Sequence, residues 1–183
     1  IYFICFFFRV NNIDYLLNAP KIEQQIALRL WFITEGSIGI SLNKKRRLIN
    51  PVLRIACAHP GLTNQLKQLG IKNGINFNIR KSRRHWSGIQ GLQSTSISSI
   101  VNFLKMGGFI RGVNVSHKSK IFTGLDKQDV LLGILEFMSR QRKDNKYRLD
   151  NIKEVMAQTL NIIKRKEIKN EAFYVKLFEA KNC

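Results

Sequence analysis

Hydrophobic positions recur at helical spacing up to Glu35 and at strand spacing after it. Ile22, Ile26 and Leu30 fall four residues apart, with Ala27 and Trp31 beside them, which predicts a helix with one apolar face. Gly36 follows, and we expect it to supply the left-handed turn that ends the helix. The sequence therefore predicts a helix that passes directly into a strand, with one acidic residue at the junction.

Alternating apolar and polar positions predict four strands in two hairpins. The predicted strands are 37–42, 51–58, 75–81 and 85–92. Turns rich in lysine and arginine, at 43–47 and 82–84, connect the two strands of each hairpin. Helical spacing is found in five further segments, at 62–69, 97–104, 127–142, 148–166 and 167–181.

The order of these elements predicts an α+β fold. Helices are expected to cover one face of an antiparallel sheet and to leave the other face polar and basic. A sheet of this kind suits duplex DNA. We divide the chain into an apolar N-terminal extension (1–19), a DNA-binding domain (20–145) and a C-terminal helical extension (146–183).

The charge of the chain strengthens the expectation of a nucleic-acid partner. The 183 residues include 31 lysines and arginines but 12 aspartates and glutamates, which gives a formal net charge of +19. A surplus of this size favours a polyanion as partner. Charge alone also fits a basic structural protein that binds RNA, and this alternative stays open.

Cysteine pattern and hydropathy argue against two classes of protein. The three cysteines, Cys5, Cys57 and Cys183, have no paired spacing and no histidine at ligand spacing, so we expect no structural zinc site and a reducing compartment. No apolar run has the length of a membrane span, so no membrane partner is expected. The first residue is not Met, which suggests a fragment, a processed product or a frame continuous with an upstream coding segment.

The helix–strand junction resembles the signature of a known family. Residues 28–36, LRLWFITEG, followed by Ser37 and Ile38, are similar to the nine-residue motif of the LAGLIDADG homing endonucleases. The resemblance extends over residues 20–140 through the order αββαββα. Arg29 and Leu30 stand where the motif has small residues that let two helices approach closely, and bulky side chains there would widen the helix spacing.

A weaker echo of the motif lies at 106–116, MGGFIRGVNVS, where Val113 would hold the acid position. Chance similarity in a glycine-rich turn is our preferred interpretation. A true second motif would make the chain a decayed two-motif monomer with one acid.

The resemblance implies a saddle-shaped αββαββα domain that works in pairs. Two motif helices, from two subunits, would pack side by side and bring two acids to the centre of bound double-stranded DNA. These acids would hold Mg²⁺ or another divalent cation against the scissile phosphates. With one clear motif per chain, a homodimer on a roughly palindromic site is expected.

The resemblance also assigns roles to individual residues. Glu35 is the predicted catalytic acid, and Glu35 and Gly36 are the predicted metal-binding positions. His59, after the second strand, would orient water or move a proton, although a plain turn histidine is an equal alternative. Lys127 would stabilise charge at the phosphate, with Lys118 and Lys120 as rivals for that role.

The predicted DNA-contacting residues lie in the basic turns, on the outward strand positions and before the 127–142 helix. They are Ser41, Asn43, Lys44, Lys45, Arg46, Arg47, Arg54, Asn76, Asn78, Arg80, Arg83, Arg84, Lys118 and Lys120. Turn residues are expected to neutralise phosphates, and the outward arginines and asparagines to contact base edges. Trp86 is expected in the core or at the sheet edge rather than as a platform on which a base stacks.

The sequence thus predicts a site-specific, Mg²⁺-dependent DNA homing endonuclease that is intron-encoded. The alternative is a non-cleaving protein on the same scaffold, either a maturase that binds its own intron RNA or a DNA-binding regulator. If the chain is intron-encoded, we expect a chloroplast or a mitochondrion as its location, and otherwise another intracellular site.

Overall fold

A computed structural model describes residues 12–43, 48–116, 119, 121–144 and 151–180. Over these ranges the chain is α+β, with seven helices and one four-stranded antiparallel sheet. The α+β prediction is therefore confirmed. The predicted basic turn at 44–47, as well as Lys118 and Lys120, lies outside the described residues.

The elements follow the predicted order, with αββαββα running from α2 to α4. The helices are α1 Asp14–Asn18, α2 Lys21–Thr34, α3 Pro60–Lys72, α4 Ile97–Lys105, α5 Lys127–Asp144, α6 Ile152–Lys164 and α7 Glu171–Glu179. The strands are β1 Gly36–Asn43, β2 Leu48–Ala56, β3 Asn78–Lys81 and β4 Ile89–Ser94. None of the helices in the described ranges combines the length and the apolar character of a membrane span.

The sheet has the strand order β1-β2-β4-β3. Ser37 lies opposite Arg54, Arg54 opposite Gln93, and Gln93 opposite Asn78. Residues opposite one another in a sheet share a face, so one polar row crosses all four strands. The other face carries residues such as Ile55, which is fully buried.

Helix α5 lies in the middle of the covered side and is buried along most of its length. Gly133 allows α6 to approach it closely, because a Cβ there would come within 2.6 Å of Ile163 Cγ1. Helix α7 adds the fully buried Tyr174, whose hydroxyl donates to Glu136 of α5 at 2.9 Å. Helices α6 and α7 thus share the core with the sheet domain.

The predicted apolar face of α2 is divided in the structure, because Ala27 and Trp31 are buried whereas Ile22 and Ile26 are exposed. The side chain of Ile22 is 62% exposed and that of Ile26 is 51% exposed. The buried side of α2 is formed by Leu28, Trp31 and Phe32. Helix α2 has apolar residues on two sides. The side with the aromatic residues packs on the core, because burial of its larger apolar area removes more surface from water.

Gly36 is required for space, and the predicted left-handed turn is wrong. Its backbone is not among those with positive φ, and the helix ends on Glu35 in a right-handed conformation. A Cβ on Gly36 would lie 2.1 Å from the carbonyl oxygen of Phe32. The start of β1 therefore packs directly against the last turn of α2.

We expect Gly36→Ala to lower the free energy of unfolding by about 1–3 kcal/mol, because the helix and strand must separate to admit the methyl group. Urea unfolding followed by circular dichroism measures the change. Gly61→Ala in α3 is the control, since its Cβ would meet the nearest atom at 3.4 Å. An unchanged midpoint for Gly36→Ala would contradict the close packing.

The strand boundaries differ from the predictions, and in the third and fourth strands the difference moves predicted strand residues out of the sheet. The fourth strand was expected at 85–92 but begins at Ile89, because residues 82–88 form a hydrogen-bonded turn. The third strand begins at Asn78, so Asn76 lies before it, exposed and with its N–H bonded to Ser99 Oγ at 3.0 Å.

Candidate nucleic-acid interface

The uncovered face of the sheet collects polar residues from all four strands. We call it the open face. Its polar members are Ser37, Ser41, Asn50, Arg54, Asn78, Arg80 and Gln93, and the residues Gly39, Val52, Ala56 and Gly91 lie between them, with Val52 buried. Four of these, Ser41, Arg54, Asn78 and Arg80, are among the predicted DNA-contacting residues, and the register brings them to one face. Sequence reasoning missed Asn50 and Gln93. Asn50 was missed because β2 begins three residues earlier than predicted. It lies four residues before Arg54 in this strand and therefore on the same face.

Arg54 is the most constrained cation of the open face. Its Nε atom is buried without a hydrogen-bond partner, and its guanidinium lies over Gly39, where a Cβ would be 3.0 Å from Nη1. Burial first, and the positive charge of Arg80 second, lower the pKa of Arg54. Two neighbouring guanidinium groups with no described carboxylate between them favour an anionic or acceptor-rich ligand.

If the open face contacts DNA as the sequence predicts, Arg54→Met should weaken that binding by about 1–3 kcal/mol, because the methionine keeps the apolar stem and removes the donors. Fluorescence anisotropy at several salt concentrations measures the loss. A salt slope reduced by about one would indicate a phosphate contact, and an unchanged slope would indicate a base contact. Arg165→Met, at the end of α6, is the control. Equal affinities for both variants would remove Arg54 from the interface.

Glu35 lies at the end of the open face. Its backbone N–H donates to Trp31 O at 2.9 Å, and its carbonyl oxygen accepts from the N–H of Ala56 at 3.1 Å. These bonds fix the acid between the last turn of α2 and the end of β2. The side chain is half-buried, and no cluster of three or more metal-ligating side chains occurs within the described parts of the chain.

Lys127 is the predicted site residue that the structure brings next to Glu35. Its Nζ donates to Ile33 O at 3.0 Å and to Gly36 O at 2.8 Å, although the two segments are far apart in sequence. The residue is 8% exposed. Burial lowers the pKa of Lys127, and the nearby Glu35 carboxylate partly opposes that shift. The ammonium thereby satisfies carbonyl groups at the end of α2, where a cation is favourable.

Lys127 gives a prediction for stability against pH. Far below pH 10.5 the lysine is charged in both the folded and the unfolded state. Burial of this charge then lowers the free energy of unfolding by an amount that does not change with pH. Because the pKa in the folded state is lowered from 10.5, the folded chain releases the proton first as the pH rises, and the free energy of unfolding increases over the window below 10.5.

We expect Lys127→Met to remove this alkaline increase and to lower stability at neutral pH by about 1–3 kcal/mol, since two buried carbonyl groups lose their donor. Thermal unfolding across the alkaline range measures both effects. The control is Lys153→Met, on the exposed side of α6. A parallel rise in the variant and the wild type would show that Lys127 does not cause it.

The metal-binding prediction for Gly36 meets a physical objection. Its carbonyl oxygen already accepts from the Lys127 ammonium, and that charge would repel a divalent cation at the same atom. Glu35 can offer carboxylate oxygens, which Mg²⁺ prefers. Among the described residues of one chain, Glu35 therefore fits as one ligand of a metal site, without a cluster of three or more ligating side chains around it.

His59 lies at the N-cap of α3, three residues beyond the end of β2. Its Nδ1 accepts from the N–H of Leu62 at 3.2 Å, so the neutral ring carries its proton on Nε2. While it caps the helix, His59 can donate a hydrogen bond to a phosphate or to water but has no free acceptor nitrogen. The structure thus favours donation over the predicted proton shuttle.

An open cavity of about 710 Å³ extends from Glu35 along β1. The polar part of its wall includes Glu35, Lys127, Asn114, Ser116 and Ser119. Apolar side chains such as Ile38 and Phe122 also line it, and its volume is sufficient for a phosphate group beside the acid.

The echo of the motif at 106–116 contributes a wall of this cavity and no second helix, since the described segment is irregular. Arg29 of α2 donates to the carbonyl oxygens of Gly108 at 3.1 Å and Gly107 at 3.2 Å. Residues 106–116 therefore give no support to the alternative of a two-motif monomer.

Two further predicted residues, Arg83 and Arg84, lie exposed in the β3–β4 turn. Asn43 is the last residue of β1, and its side chain lies outside the part of the chain that the structure describes. Comparison of the chain with family models, curated proteins and solved structures found no match.

Proposed function

We propose that this chain is a Mg²⁺-dependent, site-specific DNA endonuclease of the LAGLIDADG type that acts as a homodimer on double-stranded DNA. The observation that carries the proposal is the position of Glu35. It stands where a helix with an exposed apolar side meets the end of a polar, basic sheet face. The charge of +19 supports a nucleic-acid partner.

The exposed side of α2 supports the homodimer. We call it the α2 stripe, and it consists of Ile22, Ile26, Leu30 and Ile33. Two of these side chains are more than half exposed, which is unusual for isoleucine on a helix that otherwise packs in a core. The stripe runs along the helix toward Glu35, so a two-fold contact between stripes would bring two Glu35 side chains near one axis.

The side chains around this axis would have different roles in binding and cleavage. Arg54, Arg80 and the other open-face residues bind and orient the duplex. Glu35 supplies the carboxylate, and Lys127 holds the backbone on both sides of it. His59 can donate to a phosphate oxygen from Nε2.

A divalent cation between two Glu35 carboxylates would supply charge neutralisation and an activated water. The repulsion between two carboxylates at helix C-termini is a reason for the cation to bind there.

Incubation with duplex DNA in Mg²⁺, and in EDTA as control, tests the proposal. Sites bound by the wild-type chain are first selected from randomised duplexes. The proposal predicts cleavage of the selected duplex in Mg²⁺ and binding without cleavage in EDTA. Binding without cleavage in both solutions would favour the regulator or maturase alternative, and failure to bind any duplex would overturn the proposal.

A further inference from the structure

A tryptophan stands at the tip of the β3–β4 turn, residues 82–88. The side chain of Trp86 is 79% exposed, whereas that of Trp31, the second tryptophan of the chain, is 8% exposed. The expectation that Trp86 lies in the core or at the sheet edge is therefore wrong. A large apolar side chain held in water points to a partner that covers it.

The turn that carries Trp86 is firmly built. The N–H of Ser82 donates to Gly88 O and the N–H of Gly88 donates to His85 O, both at 2.9 Å. The hydroxyl of Ser87 donates to the carbonyl oxygen of Ala58, two residues beyond the end of β2. The backbone that carries the indole is consequently held in place, and little backbone ordering would be needed for Trp86 to bind.

The surroundings of Trp86 are basic and lie at the Glu35 end of the sheet. Arg83, Arg84 and His85 precede it and are exposed. Strand β3 ends and β4 begins at this turn, and the neighbouring cross-strand row is Arg80–Gly91–Ala56, with Ala56 bonded to Glu35. The ring of His59 lies 6.5 Å from that of Trp86.

We propose that Trp86 stacks on a base of the bound DNA next to the cleavage end of the site, while Arg83 and Arg84 neutralise the flanking phosphates. The inference rests on the proposed function, and it adds that the duplex is locally unstacked there. Aromatic side chains among basic ones bind bases with little sequence preference. Pyrimidine–purine steps open most easily, so we expect one at this place. A protein partner would instead have to bury the neighbouring arginines.

Tryptophan fluorescence and a binding series test the stacking. The full chain is titrated with the duplex selected by the wild type, and acrylamide quenching is measured with and without DNA. The difference between wild type and Trp86→Phe isolates the Trp86 signal without a change in the core. We expect DNA to protect Trp86 from acrylamide and to quench its emission.

We expect Trp86→Ala to weaken binding about 5- to 100-fold and Trp86→Phe to weaken it less, because phenylalanine still stacks. Phe173→Ala, an aromatic 42% exposed on α7, is the control and should bind like the wild type. Full acrylamide access to Trp86 in the complex, with unchanged affinity of Trp86→Ala, would overturn the stacking but leave the proposed function. A chain that binds no duplex would overturn both.

Discussion

Glu35→Gln is expected to abolish cleavage and to leave DNA binding intact. The amide keeps the size of the side chain and removes its charge, so no cation can be held between two copies. We expect the cleavage rate to fall by about 10³-fold or more, the size of effect seen when a central electrostatic group is lost. Affinity should stay the same or rise slightly, because a negative group near phosphates disappears.

Single-turnover cleavage and anisotropy on the selected duplex measure the two quantities. Glu23→Gln, in the first turn of the same helix and exposed, is the matched control and should cut like the wild type. Undiminished cleavage by Glu35→Gln would place the catalytic group elsewhere. A parallel loss of binding and cleavage would show that Glu35 serves the structure of the interface.

Ile26→Asp is expected to convert the dimer to a folded monomer that does not cut DNA. A carboxylate placed at the centre of the α2 stripe would lie near its own copy across the two-fold axis, in an apolar contact. Burial and repulsion together should weaken association by about 2–5 kcal/mol. Ile26 is 51% exposed in the single chain, so the fold of the monomer should tolerate the substitution.

Analytical ultracentrifugation measures the monomer–dimer equilibrium, and circular dichroism confirms the fold. The control is Ile71→Asp on α3, where the isoleucine is 53% exposed and lies outside the stripe. If Ile71→Asp dissociates the dimer and Ile26→Asp does not, the contact lies on another surface.

Local periodicity predicted the α2–β1 junction and most of the open face. Alternation over β2 placed Arg54 outward, and the same parity over β3 placed Asn78 and Arg80 outward, because a strand period of two leaves only two choices. The two hairpin pairings then follow from the order of the strands, whereas the pairing of β2 with β4, which joins the hairpins, does not. The proximity of Lys127 to Glu35 required the family resemblance, since the residues are distant in sequence.

Other features depended on tertiary packing that no local pattern contains. Helix α2 has two apolar sides, and only the packing of Trp31 and Phe32 against the core decides that Ile22 and Ile26 remain outside. In the sequence alone, Gly36 indicates a turn. In the structure, glycine is required at this position because the backbone of Phe32 lies too close to admit a Cβ atom.

Trp86 would be placed in a core by composition, and the hydrogen-bonded turn 82–88 exposes it instead. Ile22, Ile26 and Trp86 are exposed apolar residues, and they are the ones for which we propose partners.

The positions of the DNA ends formed by the wild-type chain in Mg²⁺ show whether two Glu35 side chains act together at one cleavage centre. Sequencing of these ends on the selected duplex locates each cut. If two Glu35 side chains meet on a two-fold axis, the cuts fall one in each strand, symmetric about the centre of a roughly palindromic site, and Glu35→Gln forms neither. A bound duplex that stays intact, or cuts without this symmetry, would contradict the account.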